Sequence, residues 1–202
     1  MRTSLKIWKA VINRNRGLSY SFILGELPHA PYAIFVDAAS SSGIGGVMND
    51  TYFTTLNCIL RVHLKKTPGW EKFPRVPIAW TELLAVFVAL SLFGHKHRRT
   101  LLVLYSDNTN VVSWLGRRRS PDPHVCTLVS AIERIKYTHS IKLTVKYIPS
   151  NVNSTADRLS RNCTPKWLYV RGKRIHPNFR ELFRELNHSN MYAYWQTTLT
   201  KA

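Results

Sequence analysis

The chain has 202 residues, of which 29 are Lys or Arg and 11 are Asp or Glu, so its formal net charge is +18. This excess of positive charge indicates a polyanionic partner such as nucleic acid, because each neutralised phosphate releases counterions. A ribosomal-type or merely soluble basic protein is the alternative. Hydrophobic residues make up 45% of the chain, which is enough for a packed core and excludes a disordered chain. The longest apolar run, Leu83 to Leu90, is too short to span a bilayer, so we expect no membrane partner.

The cysteines and the first residues bear on the compartment. Cys58, Cys126 and Cys163 form no CxxC pair, which fits a reducing environment and argues against a structural zinc site. The first residues, "MRTSLKIWKAVINRNRG", lack the apolar core of a signal peptide. The sequence therefore predicts an intracellular protein, in the cytoplasm or the nucleus.

The first elements in chain order predict an antiparallel meander. Residues 1–30 are basic and mixed, with a short amphipathic helix predicted over 4–13, and we interpret them as an N-terminal extension or connection segment. Three strands follow in "YAIFVD" from Tyr32, "GVMNDTYFT" from Gly46 and "NCILRVHL" from Asn57 to Leu64. The last of these alternates apolar and polar residues, as a half-exposed strand does.

The later elements predict crossovers between parallel strands. "AWTELLAVFVALSLFG" is a helix capped by Thr81 and ending at Gly94, and "TLLVLYSD" is a buried strand. "NTNVVSWLG" predicts a short helix ended by Gly116, and "PHVCTLVSAIERIKYTHS" predicts an amphipathic one. "IKLTVKYIP" is the fifth strand and "NSTADRLSR" the helix after it. The predicted fold is an α/β mixed five-stranded sheet, with strands 1–3 antiparallel, strands 4–5 parallel and helices on both faces.

Four of the acidic residues lie at related places in this order. Asp37 ends the first strand, Glu82 opens the long helix, Asp107 ends the central strand, and Asp157 lies early in the last helix. Strand ends and adjoining helix starts can meet at one rim of an α/β sheet, where these carboxylates would repel one another. A cation relieves the repulsion, and oxygen ligands favour Mg²⁺ or Mn²⁺. Two such ions about 4 Å apart hydrolyse phosphodiesters. Four unrelated surface acids are the alternative.

Four stretches resemble the motifs of ribonuclease H, in the version attached to retroelement reverse transcriptases. They are "FVDAASSSGIGG", "AWTELLAV", "LYSDNTNVV" and "IPSNVNSTADRLSR", in the family's order, and the last is the most specific. The resemblance is to the DIRS-type and long-terminal-repeat retrotransposon branch and, more distantly, to hepadnaviral polymerases. It implies a catalytic domain over 31–161 with the ribonuclease H fold. It also implies that two Mg²⁺ ions, or Mn²⁺, are held by the catalytic residues Asp37, Glu82, Asp107 and Asp157.

The resemblance implies an endonuclease that cuts the RNA strand of an RNA–DNA hybrid by two-metal catalysis during reverse transcription. Its implied partners are the hybrid and a reverse transcriptase polymerase domain in the same polyprotein, and its location can be a retroelement particle. The chain departs from cellular and retroviral relatives, which usually carry a histidine in the loop before the last aspartate. That loop is short here and contains Ser150 and Asn151 instead.

Polar and basic residues near these motifs are predicted to contact nucleic acid. Hydroxyls and amides bind sugar and phosphate, and arginines bind the backbone. The predicted set is Ser40, Ser41, Asn108, Thr109, Arg117, Arg118, Arg119 and Asn151. For the three arginines, a solvated loop or a nuclear-import run is the alternative.

Other functions stay open at this point. A non-catalytic nucleic-acid-binding or connection module can share the fold, as can another two-metal nuclease or a strand-transfer enzyme. The segment 162–202 is a basic, aromatic C-terminal tail with one helix predicted over 178–186. Its composition suits a nucleic-acid clamp or a docking surface for a polymerase domain, and a helix that packs on the core is the alternative.

Overall fold

The structure, a computed structural model, describes residues 32–65 and 77–188. Within them, six strands form a single mixed sheet in the order β5-β4-β1-β2-β3-β6. The strands are β1 (Tyr32–Ala39), β2 (Gly43–Met48), β3 (Thr51–Leu56), β4 (Leu101–Ser106), β5 (Lys142–Tyr147) and β6 (Lys173–Arg174). The predicted helix over 4–13, the rest of the extension and residues 189–202 lie outside the described residues.

The topology of the sheet confirms the predicted fold class. β1, β2 and β3 pair antiparallel, β4 is parallel to β1, and β5 is parallel to β4. The two-residue strand β6 adds a sixth strand, parallel to β3. This strand was not predicted, because two residues carry no periodic pattern.

Seven helices lie in the described ranges, together with a short 3₁₀ turn at Gly94–Lys96. They are α1 (Asn57–Lys65), α2 (Ile78–Phe93), α3 (Thr109–Arg117), α4 (Pro123–His139), α5 (Ser154–Ser160), α6 (Lys166–Arg171) and α7 (Phe179–His188). The main core joins one face of the sheet to α1, α2, α3, α4 and α7. A smaller apolar cluster on the other face joins the sheet to α5 and α6.

The third strand lies earlier in the chain than predicted. The segment from Gly46 to Thr54 contains a tight turn, because Asn49 has a φ of 56°, in the left-handed region that asparagine tolerates. The prediction of a strand from Asn57 to Leu64 is wrong, since this segment is α1. Its buried residues, Leu60 and Leu64, are four positions apart and share one face of a helix.

Helix α2 forms the centre of the main core. The stretch Ile78–Lys96 is long and apolar enough, by length and composition alone, to cross a membrane, but 72% of its most apolar 18-residue window is buried inside the protein, as in a core helix. The predicted cap at Thr81 is wrong because the helix already begins at Ile78. The Thr81 hydroxyl instead donates a hydrogen bond to the carbonyl of Pro77, 3.3 Å away, within the first turn.

The described part of the C-terminal segment packs against the rest of the protein. The helix predicted over 178–186 is confirmed as α7. It buries Phe179, Leu182, Phe183 and Leu186 in the main core, and the ring of Phe183 stacks on His63 of α1 with centroids 6.1 Å apart. Packing on the core is therefore part of what this segment does.

Candidate metal centre and active site

Three carboxylates converge at one edge of the sheet. One carboxylate oxygen from each of Asp37, Glu82 and Asp107 lies within 4.8 Å of the other two. Asp37 and Glu82 are only 5% and 4% exposed, and Asp107 is half-buried. These three acids were predicted from the sequence to lie together, and the structure brings them together.

The strand register explains the approach of the two aspartates. β1 and β4 are parallel neighbours, with Phe35 opposite Tyr105, and the two rings stack on one face of the sheet at 5.0 Å. Two residues further along each strand, this register places Asp37 level with Asp107 on that face. Glu82 reaches the same edge from α2, where its carboxylate accepts a hydrogen bond from the backbone of Ala38.

The fourth predicted ligand, Asp157, lies beside this group and makes a different contact. Its carboxylate is not one of the three that converge within 4.8 Å. It accepts hydrogen bonds from Nε and Nη2 of Arg161, 2.9 and 2.8 Å away. Burial is the main cause of the raised pKa of Asp37, and the negative charge of Asp157 adds to it.

Helix α5, which carries Asp157, is attached closely to the sheet. A Cβ atom on Gly45 of β2 would lie 2.5 Å from the backbone of Leu159, so only glycine permits this approach. The Thr54 hydroxyl donates a 2.6 Å hydrogen bond to the Leu159 carbonyl, and Asn153 Nδ2 donates one of 2.9 Å to the carbonyl of Val36. These contacts fix the distance of Asp157 from β1.

Burial and mutual repulsion favour the protonated forms of two of the carboxyls. Burial raises the pKa of Glu82 to about 9, with smaller contributions from the charges of Asp37 and Asp107. Burial also raises the pKa of Asp37, although a hydrogen bond with Ser160 and the charge of Arg161 act in the opposite direction. In the absence of a cation, the site therefore holds a proton at neutral pH.

The residues present fit a divalent cation. The Glu82 Oε2 atom is buried and has no hydrogen-bond partner among the residues that the structure describes. An unsatisfied carboxylate oxygen facing two other carboxylates is costly unless a positive charge completes the group. The donors are all carboxylate oxygens, which suit a hard cation better than zinc.

Two serines and an arginine for which no role was predicted from the sequence contact the acids. The Ser150 hydroxyl donates a 2.6 Å hydrogen bond to Asp107 Oδ2, from the short loop that contains no histidine. Ser160 makes a side-chain hydrogen bond with Asp37, and Arg161 forms a salt bridge with Asp157. All three lie in the stretch "PSNVNSTADRLSR", whose polar residues around Asp157 are the available signal for them.

Five of the predicted nucleic-acid-binding residues lie in the segments that directly follow β1 and β4 or precede α5. Ser40 and Ser41 are exposed in the turn after β1, and Asn151 is exposed in the loop before α5. Thr109 is the exposed first residue of α3. Asn108 has a structural role as well, because its side-chain oxygen accepts hydrogen bonds from the first turn of α3. Their contacts with nucleic acid stay a prediction.

The three predicted arginines lie at the other end of α3. Arg117 is the last helical residue, and Arg118, with a φ of 54°, ends the helix in the left-handed conformation, two residues after the predicted end at Gly116. All three arginines are exposed. A helix of nine residues is about 13 Å long, so these side chains begin roughly that far from the Asp107 end.

No known protein-family profile matches the sequence, and no curated protein matches it. Among solved structures, the chain is similar to an RNase H1 isolated from compost by a metagenomic approach, with a TM-score of 0.50 and 20% identity over 68% of this chain and 98% of the other. It also matches RNase H1 of Halobacterium salinarum, with a TM-score of 0.48 and 16% identity over 66% and 97% of the two chains. A third match is the N-terminal RNase H domain of a Mycobacterium tuberculosis protein fused to maltose-binding protein. Its TM-score is 0.46 and its identity is 16%, over 66% of this chain and 92% of the other. The sheet order and the compost enzyme's similarity together show that this chain has the ribonuclease H fold.

Proposed function

We propose that the protein is an endonuclease that hydrolyses the RNA strand of RNA–DNA hybrids with two divalent metal ions, Mg²⁺ or Mn²⁺. The observation that carries the proposal is the convergence of Asp37 and Asp107, from adjacent parallel strands, with Glu82 of α2. This group lies in a ribonuclease H fold, and the net charge of +18 suits a polyanionic substrate.

The chain's own residues orient the carboxylates for this chemistry. Asp37, Glu82 and Asp107 would hold the metal ions, which when bound would supply an activated water molecule and stabilise the charge on the leaving oxygen. Ser150 holds Asp107 through a hydrogen bond, and the backbone of Ala38 holds Glu82. Asp157 would be the fourth residue to hold a metal ion, and its carboxylate would then have to leave its contact with Arg161.

Polar and basic residues near the carboxylates support an RNA–DNA hybrid as the substrate. The exposed hydroxyls and amides at Ser40, Ser41 and Asn151 suit the sugar and phosphate groups of the strand that is cut. The exposed run from Arg117 to Arg119 suits the backbone of the hybrid further along.

We place this activity in reverse transcription by a retroelement. The support is the resemblance of "PSNVNSTADRLSR" to that branch of the family, together with the short loop in which Ser150 contacts Asp107. The proposed partner is a reverse transcriptase polymerase domain in the same polyprotein, in the cytoplasm, the nucleus or a retroelement particle. A coding sequence that lacks a polymerase "YxDD"-type motif upstream would count against this placement.

A cleavage assay with labelled RNA–DNA hybrid tests the activity. The wild-type chain is expected to cut the RNA strand with Mg²⁺ or Mn²⁺ and to stop when EDTA is added. Asp107→Asn is expected to lose activity, whereas Asp50→Asn, in the exposed turn between β2 and β3, serves as the matched control and keeps it. Cleavage that persists in EDTA, or a wild-type rate in Asp107→Asn, would contradict the metal mechanism. Hybrid binding without cleavage would favour a non-catalytic binding module.

A further inference from the structure

A basic groove lies between helices α5 and α6, on a surface that the proposed activity does not use. Its volume is about 630 Å³, and its lining includes Thr155 and Arg158 from α5 with Lys166, Trp167 and Arg171 from α6. Three of its lining side chains are cations and none is acidic. We call it the α5–α6 groove.

The groove exposes an aromatic surface between these cations. Trp167 is 50% exposed, and its neighbour on the groove wall, Val170, is also exposed. Tryptophan side chains are mostly well buried in folded proteins, and an exposed indole between cations offers a flat face on which a nucleotide base can stack. The combination suits a ligand that has both negative charges and flat rings.

The groove shares helix α5 with the fourth predicted metal ligand, Asp157. Arg158 directly follows Asp157 in α5, and successive helical residues point about 100° apart. The opposite face of α5 is held on β2 by the close contact at Gly45, so the groove side of the helix is the side that is open to a ligand. Arg158 therefore belongs both to the groove wall and to the helical turn that carries Asp157.

We propose that the α5–α6 groove binds unpaired nucleotides that extend from the end of an RNA–DNA hybrid. A base stacks on Trp167, and the phosphates contact Arg158, Lys166 and Arg171. The nucleotides are unpaired because bases inside a duplex already stack on their neighbours and present no free face. The choice of an RNA–DNA hybrid as the adjoining duplex rests on the proposed function, whereas the binding of unpaired nucleotides rests on the groove itself.

Binding measured without cleavage tests this site. Fluorescence anisotropy in EDTA compares a blunt hybrid with hybrids that carry a single-stranded extension of either polarity. An extension of one polarity is expected to tighten binding by about fivefold or more, the effect of stacking one base. Trp167→Ala is expected to remove this gain, and Trp167→Phe to keep most of it.

Two controls separate stacking and charge from general effects. Tyr169 lies on the same helix, is 79% exposed and does not line the groove, so Tyr169→Ala is expected to keep the gain. The double variant Lys166→Ala, Arg171→Ala is expected to reduce the salt slope of binding to the extended hybrid by about two units. Arg180→Ala, an exposed cation on α7, is expected to leave this slope nearly unchanged.

The outcomes distinguish this proposal from the proposed activity. If wild-type protein cuts blunt hybrid but gains nothing from either extension, the groove proposal is overturned and the activity stands. Equal binding of the extended hybrid by Trp167→Ala and Tyr169→Ala also overturns the groove proposal. A protein partner would then be the candidate occupant of the groove. A gain that depends on Trp167 in a chain that cuts no hybrid supports the groove and overturns the activity.

Discussion

Replacing Glu82 by glutamine is expected to stabilise the metal-free protein at neutral pH, although it removes a proposed metal ligand. The Glu82 carboxyl is 4% exposed, and its pKa is raised from 4.5 to about 9. The folded state therefore holds a proton that the unfolded state releases. Stability falls as pH rises between these two values, because the folded state binds more protons than the unfolded state.

The size of the effect follows from the width of this pH window. Each pH unit above 4.5 lowers the free energy of unfolding by about 1.4 kcal/mol until the folded-state pKa is reached. At pH 7 the cost is on the order of 3 kcal/mol. Glutamine has nearly the same shape, keeps an acceptor for the backbone of Ala38 and does not titrate, so it avoids this cost.

Urea unfolding in EDTA at several pH values between 5 and 8 measures the difference. The variant Glu82→Gln is expected to match the wild type near pH 5 and to exceed its stability increasingly toward pH 8. Glu181→Gln on the exposed surface of α7 is the control and should show no such trend. A stability difference that does not change with pH, or a variant less stable than the wild type at pH 8, would refute the reasoning. Added Mg²⁺ or Mn²⁺ should stabilise the wild type more than the variant.

Further predictions concern the supports of the site and the surface. Gly45→Ala is expected to lower the free energy of unfolding by about 3 kcal/mol in urea denaturation, because its Cβ would overlap the backbone of Leu159. Ser150→Ala should reduce metal affinity or the cleavage rate by roughly 10- to 100-fold, since Asp107 loses its orienting hydrogen bond, and an unchanged rate would deny Ser150 this role. Changing all three residues of 117–119 to alanine should flatten the slope of log K against log[salt] for hybrid binding by about two to three units, and an unchanged slope would return them to a solvated loop. A chain that ends at Arg161 should lose cooperative unfolding in circular dichroism, because it lacks the four buried apolar residues of α7; a stable, active truncation would contradict this.

The sequence was sufficient to place three of the four acids because their positions depend on regular elements. Asp37 and Asp107 each follow a short apolar run of the kind that buried strands have, and Glu82 lies in the first turns of an apolar helix. Parallel strands and the helix between them have few possible arrangements. The approach of these carboxylates thus follows from local pattern and topology together.

The errors arose where short-range patterns were ambiguous. Asn57 to Leu64 alternates like a strand, yet only Leu60 and Leu64 are buried, and the choice between helix and strand depends on packing against α7, far along the chain. The contact of Asp157 with Arg161 was equally hidden, because a side chain four residues away on a helix can point at its neighbour or at a ligand. Such alternatives are decided by tertiary surroundings.

The pairing of Phe35 with Tyr105 has a consequence for how this centre tolerates sequence change. Adjacent strands lie about 4.8 Å apart because of their backbone hydrogen bonds, whichever side chains they carry. The separation of Asp37 from Asp107 is therefore a property of the backbone, and most residues around it can be replaced without altering it. A single inserted residue in β1 or β4 would have the opposite effect, because it would move one aspartate to the other face of the sheet. Within these strands, residue count constrains the centre more strictly than residue identity does.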